Sequence, residues 1–160
     1  MRVLVLACLS VFAVTAGAAS GGDVPADQDT AKDDLDRLQG VWQCVTMEAN
    51  GQRMGFPKGR APAATFKGGK VIFAQRDASG GEGKGPETLV KLDPSRDPKE
   101  IDIGDKGDIK GIYSVEGDTL KVMHVIAKRG QPVPKLDRPK GFAPKAGDGY
   151  VYMELKRVKQ

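Results

Sequence analysis

From residue 41 onward the hydrophobic positions recur with a period of two. VWQCVT sets Trp42, Cys44 and Thr46 on one face, and GGKVIF puts Val71 and Phe73 on another shared face. EIDI aligns Ile101 with Ile103, and TLKVMHVI aligns Leu120, Val122, His124 and Ile126. Such alternation predicts half-buried strands. Turn signals separate them: Asn50-Gly51, Gly68-Gly69, the DPSRDP segment and Glu116-Gly117-Asp118 each stand where one apolar run ends and the next begins.

Only DDLDRLQG departs from period two. Leu35 and Leu38 lie three apart, acids precede them and a glycine follows, which predicts a short helix over 30–39. The glycine-rich stretch from Asp77 to Pro86 and the proline-rich QPVPKLDRPKGFAPKAGDG read as loops, and YVYMELKRV closes the chain as a last strand. About eight short strands after one helix, with no βαβ unit, predict an all-β antiparallel barrel or sandwich, the barrel being favoured because closure removes the edge strands.

The N-terminus has a different character. Met1-Arg2, an apolar run from Val3 to Ala16 and the small residues AGAAS have the layout of a secretory signal, giving a signal peptide over 1–19, a flexible linker over 20–30 and one barrel domain over 31–160. The expected destination is the periplasm or the exterior. The apolar run is too short for a helix spanning a hydrocarbon layer of about 30 Å, so no stable membrane insertion is expected.

Charge and cysteine content narrow the chemistry further. The 160 residues carry a formal charge of +4, which becomes +3 without the N-terminal segment and its Arg2. The basic side chains are interspersed with acids, so nothing forms the basic stripe that nucleic acid requires. Loss of Cys8 with the signal would leave Cys44 alone, without a disulfide partner, and Cys44 is expected to fill core volume. His124 is the sole histidine. Its apolar face favours a neutral core imidazole over a ligand to a metal, and no metal or cofactor site is expected. No catalytic set emerges; the weakest alternative is a hydrolase using His124 and Cys44. GEGKG lacks the GK[ST] ending and following helix of a phosphate loop, and Asp102, Asp105 and Asp108 do not have calcium-loop spacing.

Gly40-x-Trp42 at the helix-to-strand switch resembles the entry of the lipocalin and wider calycin barrels, where a tryptophan of the first strand packs across one end. That resemblance implies an up-and-down lipocalin-like barrel closed by Gly40, Trp42 and a basic residue of the last strand. Arg157 is the stronger candidate over Lys156, because a guanidinium stacks on an indole. More of the chain is similar to an uncharacterised secreted domain family of planctomycete bacteria. LQGVWQCVTMEANGQ, KLDPSRDPKEIDI, GIYSVEGDTLKV, RPKGF and GDGYVYMELKR carry the likeness, which brings no catalytic residues with it.

The expectation is an exported, monomeric binding protein holding a small amphipathic ligand in the barrel, with Phe73, Tyr113, His124 and Tyr152 lining it among other inward residues such as Leu89. The alternative is a filled barrel acting as a cell-envelope structural or protein-interaction domain through the loop from Gly130 to Gly149.

Overall fold

The structure, a computed structural model, describes residues 26–57, 60–76, 82–83, 85–127 and 131–159. The expected signal peptide, most of the linker and much of the glycine-rich stretch lie outside the described residues. Helix α1 (Ala26–Leu38) comes first and begins earlier than the expected Thr30. Ten strands follow: β1 (Gly40–Ala49), β2 (Gln52–Arg53), β3 (Pro62–Lys67), β4 (Lys70–Arg76), β5 (Glu82–Gly83), β6 (Glu87–Asp93), β7 (Glu100–Ile103), β8 (Ile109–Glu116), β9 (Thr119–Val125) and β10 (Tyr150–Arg157).

Eight of these strands form a closed antiparallel meander in the order β1-β3-β4-β6-β7-β8-β9-β10, and β10 returns to pair with β1. The two-residue β2 and β5 pair at its margin. Closure leaves the eight staves without a free edge, which removes the unpaired backbone groups an open sheet would present. Asn50 and Gly51 both have positive φ (51° and 73°), as do Gly68 and Gly69, so each hairpin has the backbone hand that matches strand twist.

The interior is filled by one parity of each strand. Trp42, Cys44, Phe66, Val71, Val90, Leu92, Ile101, Ile103, Tyr113, Leu120, Val122, Val151, Met153 and Leu155 form a continuous core with Leu38 of α1. Two expectations about strand faces change. In β1 the pairing with β10 shifts between Cys44 and Thr46, so Val45 is bulged out and Met47 and Ala49 replace Thr46 on the inner face. In β6 the inward pair is Val90 and Leu92, and Leu89 is 45% exposed. ETLVKL has apolar side chains at both parities, and the register Val90↔Ile103 decides between them.

A second apolar layer lies outside the barrel. Ile112, Met123 and Val125 are buried yet stand on the outward parity of β8 and β9. The segment 131–149 crosses this face. Arg138 donates to the carbonyls of Ile101 (3.1 Å) and Gly111 (2.6 Å) and to Asp102 (2.6 Å), and pairs with Glu100 at 3.0 Å. The Tyr150 hydroxyl donates to the Asp137 carbonyl, and Phe142 meets Tyr152 edge-on at 6.3 Å. The proline-rich loop is therefore a docked strap.

Candidate functional site

The two ends of the barrel differ, and the difference is set by local chemistry. At one end α1 stops at Leu38, and Gly40 takes φ 109°, a conformation that turns the chain sharply into β1 and that side-chain-bearing residues rarely adopt. Trp42 then donates its indole N–H to the Leu38 carbonyl at 2.8 Å and is fully buried. Arg157, its register partner on β10, lays its guanidinium 4.1 Å over the indole. The same guanidinium donates to the carbonyls of Gln39 and Arg37 and pairs with Asp118. Carbonyls left open by the helix end are thus satisfied by one cation that also stacks on the barrel floor. Gly40, Trp42 and Arg157 meet at this end, and the register sets Arg157, not Lys156, opposite the indole.

Asp34, which the sequence offers only as one of several helix acids, completes this floor. It is 3% exposed and accepts from the Lys99 ammonium (2.6 Å) and the Tyr113 hydroxyl (2.7 Å), with Arg37 at 3.8 Å. Burial works to raise its carboxyl, but the hydrogen bonds from Lys99 and Tyr113, with the charges of Lys99 and Arg37, hold it below the ordinary range. Burial and the Asp34 carboxylate together push the Tyr113 phenol far up. The spacing of Asp34 to Leu38, one helical turn, was the available signal. It puts the acid on the stripe that faces the barrel.

Tyr113 is therefore interior but committed to Asp34 at the sealed end. Tyr152, expected inward, stands on the outer face of β10 against Phe142, with its hydroxyl 3.4 Å from Glu154. It leaves the candidate lining because Val151 and Met153 take the inward parity. Phe73 and His124 are brought together, their rings 6.3 Å apart at the opposite end.

That opposite end is ringed by side chains which touch the core but remain half-buried: Met47, Ala49, Phe56, Phe73, Ile109 and Ile126. His124 sits among them, paired in register with Gly111 and Val151. A Cβ on Gly111 would come within 2.8 Å of the His124 Cβ, so glycine there is what gives the imidazole its space. His124 Nδ1 lies 2.8 Å from the Val125 carbonyl, and burial shifts the ring toward its neutral form. An open cleft of about 270 Å³, lined by Asn50, Ile126, Gln131, Pro132, Pro134 and Gly149, adjoins this mouth through Ile126.

Cys44 is remote from His124. Their β10 partners, Leu155 and Val151, are four residues apart, about 13 Å along the strand. Burial pushes the Cys44 thiol up to about 11, and its sulfur donates to the Thr46 carbonyl at 3.2 Å within the core. The pair cannot act as a dyad at that separation. Among the described residues no group of three or more His, Cys, Asp or Glu could hold a metal ion, and no helix is long and apolar enough to cross a membrane.

Comparison of the chain with protein-family models, curated proteins and solved structures finds no match.

Proposed function

We propose that this is an exported binding protein that takes a small, partly apolar molecule into the unsealed end of a lipocalin-like barrel. The observation that carries the reading is the asymmetry between the ends. One end buries Trp42, Leu38 of the helix and Asp34, the one buried carboxylate among the described residues, and the other leaves a ring of apolar side chains half-covered around a single histidine. Apolar surface that a fold leaves open around a few polar atoms is the usual form of a small-molecule site. The signal-like N-terminus supports export, with a periplasmic or extracellular destination. Separation of Cys44 from His124 supports a role without catalysis.

Native mass spectrometry of the protein isolated from its own source tests the reading. A bound mass of a few hundred daltons is expected, removed by Phe73→Asp while the far-ultraviolet circular dichroism of the barrel persists. A bare mass in every preparation, together with no uptake of small aromatic or alkyl probes, would overturn it.

A further inference from the structure

The polarity of the single histidine specifies more than an apolar mouth does. The Val125 carbonyl can only accept, so the 2.8 Å contact to His124 Nδ1 places the ring proton on that nitrogen. The neutral ring then presents Nε2 as a bare lone pair. Nε2 has no hydrogen-bond partner among the described residues, and because no buried side-chain N or O atom there lacks a partner, Nε2 is an atom that solvent or a ligand can reach. On the neighbouring strands its register partners are Gly111 and Val151, which offer no polar side-chain atom, and Phe73 provides an aromatic face nearby. The half-buried ring of Met47, Ala49, Phe56, Phe73, Ile109 and Ile126 carries no charge.

We infer that the mouth selects an uncharged ligand bearing a hydroxyl or amide N–H donor on an apolar body, the donor meeting His124 Nε2 and the body lying against Phe73 and its apolar neighbours. This rests on the binding reading above and adds the chemistry of the ligand to it. A carboxylate is disfavoured twice over: it brings a second acceptor to an acceptor, and it would have to shed water in a site without a cation among the described lining residues. A purely apolar ligand fills the same space but leaves Nε2 unpaired. Burial opposes protonation of the ring, so the acceptor persists at neutral pH.

Calorimetric titration of the intact protein with 4-ethylphenol, 4-ethylanisole and 4-ethylbenzoate separates these cases, since the three share a body and differ in donor and charge. The phenol is expected to bind about tenfold tighter than the anisole, with the benzoate weakest. In His124→Leu the phenol preference should fall below about twofold with anisole affinity kept, and His124→Gln, which retains an acceptor, should restore part of it. Because the chain has one histidine, the ¹⁵N spectrum of the unmodified protein gives a second readout that needs no variant: the Nε2 resonance should move upfield on adding the phenol and stay on adding the anisole. Equal affinity of phenol and anisole, a preference that survives in His124→Leu, or an unmoved Nε2 resonance overturns the inference and leaves the binding reading standing. Failure of all three probes to bind overturns the inference, and together with a bare mass in native mass spectrometry it overturns both.

Discussion

Arg157 lies 4.1 Å over the ring of Trp42 while donating to the carbonyls that end α1, so one side chain joins the last strand, the first strand and the helix. Arg157→Lys keeps the charge but loses the planar stack and the forked donors. It is expected to cost about 1–2 kcal/mol in urea unfolding followed by the emission of the single tryptophan, whereas Trp42→Ala should cost about 3–5 kcal/mol. Unchanged stability of both variants would contradict the closure.

The Asp34–Tyr113 pair sets an acid limit on the fold. Asp34 titrates below its unfolded value, so its contribution is complete above about pH 4 and is lost as pH falls through the depressed folded value. Asp34→Asn should therefore lower stability at pH 7 and flatten its decline between about pH 4 and pH 2, read as thermal midpoints across that range. Asp34→Ala strands the Tyr113 hydroxyl and should cost about 2–4 kcal/mol, less when introduced into Tyr113→Phe.

Gly111 holds the His124 pocket open. Gly111→Ala would set its Cβ 2.8 Å from both the His124 Cβ and the Met123 carbonyl and 3.1 Å from Ile101. A loss of about 1–3 kcal/mol is expected, with a displaced histidine resonance in the NMR spectrum. An unshifted resonance would show that the imidazole does not depend on this gap.

Arg138 fastens the strap. Arg138→Met removes donors to two carbonyls and two carboxylates, and limited proteolysis should then cut within 131–149 while the barrel core survives as a folded fragment. Resistance equal to the unmodified protein would mean that the apolar layer of Ile112, Met123 and Val125 holds the strap without it.

The chain alone was sufficient for the meander, because period-two alternation and Asn-Gly or Gly-Gly turns act between residues close in sequence. It placed Trp42, Phe73, Val122 and His124 on inward faces by the same rule. Alternation says that a strand has two faces, however, and is silent on what covers the outer one. Tyr152 looked like lining for that reason, although Phe142 of the strap claims it from outside. The bulge at Val45, the partnership of Asp34 with Tyr113 and Lys99, and the fourfold anchorage of Arg138 all join positions distant in sequence or depend on register across β1 and β10. What closing the barrel decided is which polar atoms found partners, and at the open end no described residue partners His124 Nε2.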